Sequence, residues 1–197
     1  MNNREKMIET TIRLIEEKGE GLSEITVREI CARAGVGLGL VNYCFGSKEG
    51  LIEVCVERII NGIVEKFTEI RESANNLTPF ERLHKLGCLT LDYLFEHAAV
   101  SRISMLSDLK NSKSDDNSMR TYRAYLPLVS ACRPEWSEEE VKNRTFMLIS
   151  IMQSAFLRRE IILAETGEDL CVKETRHAYH LKQLKTILGG KDENYGD

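Results

Sequence analysis

Residues 26–51 read TVREICARAGVGLGLVNYCFGSKEGL, two short helical patterns on either side of a glycine break. Thr26 and Glu29 have the spacing of a capping box, in which each side chain satisfies the other residue's free backbone N–H. Ile25 before the cap and Ile30 at the fourth helical position have the spacing of a hydrophobic staple, and Val27, Ile30, Cys31 and Ala34 supply an inward face. Gly35 stands where a left-handed residue ends a helix at least cost, and Val36 is an apolar plug for the corner beyond it. A second short helix is then expected from Gly37 to Cys44. Two helices joined by a glycine-bearing turn make a helix-turn-helix, whose second member enters the major groove with its N-terminal residues toward the bases.

Just beyond, Ser47 is placed to cap a further helix with Lys48 at its first position. A cation in the first turn opposes the helix dipole and needs another partner, for which a DNA phosphate is suited. Tyr43 offers a hydroxyl to a phosphate or a ring to the small domain's core, and Arg28 is a phosphate contact or an ordinary surface charge. The positions read as meeting DNA are Thr26, Arg28, Gly37, Leu38, Leu40, Asn42, Tyr43 and Lys48. Among them the Asn42 amide can pair with an adenine edge.

The segment AGVGLGLVNYCFGSKEGL, residues 34–51, resembles the recognition segment of the tetracycline-repressor (TetR) family. The likeness lies in the turn Ala34-Gly35-Val36, in Gly39, Tyr43 and Phe45, and in Ser47-Lys48-Glu49 with Leu51 beyond. With the first helix it covers roughly the first quarter of the chain. Gly37, Leu38, Leu40 and Asn42 depart from the commonest form of the motif and leave the operator sequence unread. The resemblance implies an all-α fold. A three-helix helix-turn-helix domain over 1–47 would join a helical ligand-binding and dimerisation domain over 48–197. It further implies a homodimeric repressor on double-stranded DNA, bound at a palindromic operator and released by a small apolar or amphipathic ligand.

Composition sets bounds on this reading. The chain has 197 residues, 42% hydrophobic and 29% charged, with a formal net charge of −4, enough to bury a proper core. Residues 1–50 alone hold seven basic against eight acidic side chains. Non-specific phosphate attraction is therefore weak, and binding must rest on a few placed cations, helix N-termini and two copies of the module. That count, with Gly37, Leu38 and Leu40, also suits an alternative: a helical ligand-binding dimer without sequence-specific DNA binding. No apolar run reaches the roughly 18 residues of a membrane span. The opening MNNREKMIETTIRLIEEKGE alternates charged and apolar positions, unlike a signal peptide, so a cytoplasmic protein with no membrane partner is expected. Cys31, Cys44, Cys55, Cys88, Cys132 and Cys171 are dispersed without a CxxC pair and read as reduced, mostly buried thiols, with Cys44 near the end of the recognition helix.

The rest of the chain is helical in pattern. A first helix is expected over 4–18, with Ile8, Thr11, Ile12 and Ile15 on one face. A helix over 48–73 would be near ~40 Å long, a lever linking the small domain to the rest of the chain. Thr78-Pro79-Phe80-Glu81 starts a helix to about 97, followed by one over 100–109 and a polar loop over 110–118. A helix over 119–132 contains Pro127, which should kink it. Ser137, with Trp136 stapled onto Val141, starts a long helix to 163 that is apolar on more than one side. After Thr166-Gly167-Glu168 a last helix over 170–188 carries a stripe of Ala178, Leu181, Leu184 and Leu188. The resemblance implies that these last two helices form half of a four-helix dimer interface, with Phe156 and that stripe as the dimerisation residues.

Other chemistry finds little support. His177 and His180 lie three apart with Cys171 nearby, but no second ligand cluster accompanies them, so no metal and no cofactor are expected. GxSxG, HExxH and P-loop patterns are absent, and GVGLG lacks the strand a dinucleotide fold requires, so no enzyme is expected. His84, Tyr122 and Tyr125 put polar tips on apolar faces, and with Met152 and Phe156 they are read as lining a ligand pocket; the same composition also suits an ordinary core.

Overall fold

The computed structural model describes residues 2–18, 24–59 and 77–189, and every regular element among them is a helix. In chain order these are α1 (Asn3–Lys18), α2 (Val27–Ala34), α3 (Gly39–Phe45), α4 (helical from 48 to 59), α5 (Pro79–Glu96), α6 (Ala98–Lys110), α7 (Asn117–Cys132), α8 (Glu138–Leu157), α9 (Arg159–Thr166) and α10 (Lys173–Ile187). The remainder of the long helix read to 73, and most of the polar break after it, lie outside the described residues.

The chain divides into two compact units. The first falls within Met1–Glu69 and His97–Lys113, the second within Ile70–Glu96 and Ser114–Asp197. In the first, α1 turns Met7, Ile8, Leu14 and Ile15 inward at helical spacing. They meet Ile25, Ile30, Cys31, Val41, Leu51, Ile52 and Val100 in one core. The boundary read after residue 47 falls inside this unit, because Leu51, Ile52, Cys55 and Val56 of α4 belong to the core of α1–α3. The Arg58 guanidinium pairs with Glu5, and Ser107 Oγ donates to Glu53 Oε1 at 3.2 Å, fastening α4 to α1 and α6.

The second unit is built on α5, α7, α8 and α10. Its start carries a complete capping box: the Thr78 N–H donates to Glu81 Oε2 at 2.7 Å while the Glu81 N–H donates to Thr78 Oγ1 at 3.3 Å. Ser137 caps α8 through the Glu140 N–H at 3.1 Å. Asp116 caps α7 through the Met119 N–H at 2.8 Å, starting that helix two residues before the expected Met119. Leu83, Leu91, Tyr125, Val129, Leu148, Ile149, Met152 and Leu184 fill the core between them.

Two expectations are corrected here. The helix expected to run unbroken to 163 is interrupted at Arg158 (φ −117°, ψ 23°), whose carbonyl then accepts from Ile161 and Ile162 to start α9. No glycine or proline marks that break. The stripe read as facing a second subunit is largely the chain's own core. Leu184 and Phe156 are 0% exposed and Leu188 1%, because α10 lies against α5 and α8. Of the five residues, only exposed Ala178 and half-buried Leu181 reach the surface appreciably.

Candidate nucleic-acid interface

The geometry begins with the cap of α2. Thr26 is extended (ψ 153°) and its Oγ1 accepts from the Glu29 N–H at 3.1 Å, which satisfies one orphan donor of the first turn. The Glu29 carboxylate is turned onto Lys18 Nζ at 2.9 Å and Arg33 at 3.4 Å, and the hydrogen bond from Lys18 holds it below the usual carboxylate range. At the other end Gly35 is left-handed (φ 66°), and the Val36 N–H closes back on the Cys31 carbonyl at 3.0 Å, a Schellman closure. Cys31 Sγ donates to the Gly37 carbonyl at 3.7 Å, so the buried thiol also holds the turn.

From that turn α3 starts at Gly39, two residues later than expected, and ends at Phe45. Val41 is its anchor, 0% exposed, and Leu40, Cys44 and Phe45 pack against the same core. The opposite face is therefore turned out. Gly37, Leu38, Gly39, Asn42 and Tyr43 are all exposed, Leu38 by 54% and Tyr43 by 87%, so the tyrosine ring takes no part in the core. Thr26 and Arg28 are exposed at the start of α2.

Lys48 Nζ donates to the Ile25 carbonyl at 3.1 Å, and Ser47 Oγ accepts from the Gly50 N–H at 3.0 Å. The cation in the first turn of α4 thus has a partner within the protein and is seated beside the N-terminus of α2. Several other cations of this unit are likewise paired internally: Lys18 with Glu29, Arg33 with Glu17, and Arg58 with Glu5. The recognition helix itself, GLVNYCF, carries no charge. Arg4 lies 5.1 Å above the Phe45 ring, a support for the end of α3 that the sequence pattern did not reveal.

In the second unit, the five residues read as pocket lining make the following contacts. Tyr125 is 1% exposed and donates to Thr90 Oγ1 at 2.7 Å, and Phe156 packs edge-on to Phe95 at 5.4 Å. Half-buried Tyr122 meets Phe146 at 6.5 Å, and His84 Nδ1 meets His180 Nδ1 at 3.0 Å. Met152 borders a cavity of about 10 Å³, near the size of one water. A hollow of about 460 Å³ is lined by Ser150, Ile151, Ser154, Ile161, Ile162 and Tyr179 among others. His177 is engaged by Asp92 at 2.8 Å, as is Arg176 at 2.7 Å and Lys173 at 3.1 Å, an ionic cluster that ties α10 to α5.

Residues 7–55 match the model of the bacterial regulatory proteins of the tetR family, the span that holds α1, the capped turn and the outward face of α3. Over that quarter of its length the chain is similar to the bacterial regulatory proteins of the tetR family. It is 25% identical to the HTH-type transcriptional regulator BetI 2 of Chromohalobacter salexigens over 94% of this chain and 90% of the relative. It is 29% identical to the HTH-type transcriptional regulator BetI of Burkholderia ambifaria over 45% of this chain and 44% of that one. Two TetR-like regulators of Rhodococcus sp. RHA1 share the fold. One has a TM-score of 0.58 at 17% identity, covering 97% of both chains; the other has 0.55 at 16%, covering 96% of this chain and 97% of that one. The matched span coincides with the helix-turn-helix formed by α2 and α3.

Proposed function

We propose that this chain acts in the cytoplasm as a homodimeric repressor, held on a palindromic operator by its first unit and released by a small apolar or amphipathic ligand bound in the second. The observation that carries the DNA reading is the exposure of Gly37, Leu38, Asn42 and Tyr43 on one face while Val41 anchors the other. In this reading Asn42 and Leu38 meet base edges, and Tyr43, Lys48, Thr26 and Arg28 meet phosphates. Gly37 and the half-buried Leu40 shape the approach.

Dimerisation is proposed on the outer side of α8, α9 and α10. Phe146 (60% exposed) and Met147 (50%) on α8 and Ile161 (53%) on α9 present apolar surface, and Ala178 is exposed and Leu181 half-buried on α10. The hollow of about 460 Å³ lined by Ser150, Ile162 and Tyr179 has the size of a small-molecule site and is the proposed ligand seat. No transmembrane-length apolar helix occurs among the described residues.

One observation favours a second reading, a ligand-binding dimer that does not select DNA sequence: α3 carries no charged residue at all. A mobility-shift titration with DNA flanking the chain's own gene, against scrambled DNA of equal length, separates the two. Preferential retardation of the flanking DNA supports the repressor reading, and equal affinity for both supports the other.

A further inference from the structure

His84 and Cys88 stand one turn apart on α5, and His180 of α10 is brought against them from 96 positions away. His84 Nδ1 lies 3.0 Å from His180 Nδ1, and Cys88 Sγ lies 3.7 Å from each ring nitrogen of His84. One donor atom from each residue falls within 4.8 Å of the other two. Tetrahedral zinc, with Zn–N near 2.0 Å and Zn–S near 2.3 Å, places its ligand atoms about 3.3 Å (N···N) and about 3.5 Å (N···S) apart. The His84–His180 and His84–Cys88 separations stand close to those values already, and the two rings meet through their Nδ1 atoms.

His180 supplies the independent observation. It is 1% exposed, and its Nε2 is buried without a hydrogen-bond partner. A Cβ on Gly87 would stand 2.0 Å from that Nε2, so the imidazole is seated directly on the α5 backbone where only glycine leaves room. A leucine would fill this position without an unsatisfied nitrogen, whereas the histidine turns its Nδ1 onto His84 Nδ1 beside Cys88.

We propose that His84, Cys88 and His180 form a binding site for a thiophilic transition-metal ion, Zn²⁺ foremost. Two neutral imidazoles and a thiolate suit such an ion and not a hard cation. The thiol proton leaves to solvent as the S–metal bond forms, and the fourth position stays open to an exchangeable ligand. Bound metal joins α5 to α10 within the second unit, a role independent of how the first unit meets DNA.

The test uses the full chain under a phosphine reductant, titrated with Zn²⁺ against a chromophoric chelator and with Co²⁺ as an optical reporter. The expected result is one Zn²⁺ per chain, a thiolate-to-cobalt charge-transfer band, and a melting temperature raised by Zn²⁺. Cys44→Ser with Cys171→Ser, which removes the more accessible thiols, should leave all three unchanged. Cys88→Ser and, separately, His84→Gln should weaken Zn²⁺ binding by at least about tenfold, the scale on which even outer-shell partners act, with helicity retained by circular dichroism. Should Cys88→Ser fail to fold, the half-buried His84→Gln carries the comparison. Absence of saturable Zn²⁺ binding by the folded wild type overturns the site, as does undiminished binding in the variants that fold, or loss of binding in the Cys44→Ser, Cys171→Ser protein.

Discussion

Lys48 Nζ donates a hydrogen bond to the Ile25 carbonyl at 3.1 Å, joining the first turn of α4 to the residue before the N-cap of α2. This contact gives the lysine a structural task beside the phosphate contact proposed for it, and the two tasks have different signatures. Lys48→Ala should cost about 0.5–1.5 kcal/mol of stability from the lost hydrogen bond. It should also lower the salt slope of log K for DNA by about two in the dimer, from roughly 0.9 per phosphate contact. Denaturant titration and binding isotherms at several salt concentrations measure both. A stability loss with an unchanged slope would leave Lys48 as an internal strut only.

Gly35 holds φ at 66°, and nothing stands within 4 Å of where its Cβ would be, so a side chain there is opposed by backbone strain alone. Gly35→Ala should destabilise the first unit by about 1–2 kcal/mol, the cost of the left-handed region for an L-residue. A chemical-denaturation midpoint unchanged from wild type would contradict the assignment of the turn.

Asp92 is 7% exposed and bound by Arg176, Lys173 and His177. Burial raises its carboxyl, but the hydrogen bonds from these three outweigh it and hold the group below its ordinary value. Because the folded value lies below the unfolded one, its stabilisation is fully present above about pH 4 and is lost as pH falls through the folded value. Asp92→Ala should cost about 3–5 kcal/mol at neutral pH, since Arg176, 5% exposed, is left buried without its carboxylate. Stability measured from pH 7 down to pH 2 should fall less steeply in the variant. Parallel curves would place the acid sensitivity elsewhere.

Phe146 and Met147 expose apolar side chains on α8, whereas Leu184 on α10 is 0% exposed. Phe146→Glu with Met147→Glu should therefore yield folded monomers by light scattering. A charge at Leu184 should unfold the second unit instead. A double variant that remains dimeric would move the interface off this face.

The first unit was the more legible in sequence because its signals are local. The Thr26 cap, the left-handed Gly35 and the inward Val27-Ile30-Cys31-Ala34 face each depend on residues within a few positions, and backbone geometry alone requires them. The Thr78–Glu81 box was readable for the same reason. The second unit was harder because its decisive contacts are remote. An apolar stripe on a helix looks the same whether it meets its own core or a second copy, so Leu184, Leu188 and Phe156 could not be told from an interface until α5 and α8 were seen against α10. His180 read as one of a pair with His177, three residues away, yet it meets His84 while His177 turns to Asp92. No local pattern announces a partner 84 to 96 positions distant, nor the break at Arg158.

The most direct test of the central claim is the affinity of the wild-type chain for DNA flanking its own gene compared with random DNA, measured at several salt concentrations alongside Asn42→Ala. The account requires the wild type to prefer the flanking DNA, and Asn42→Ala to narrow that gap by about 1–3 kcal/mol per half-site with little change in salt slope. Wild-type protein that binds flanking and random DNA equally at every salt concentration would contradict it.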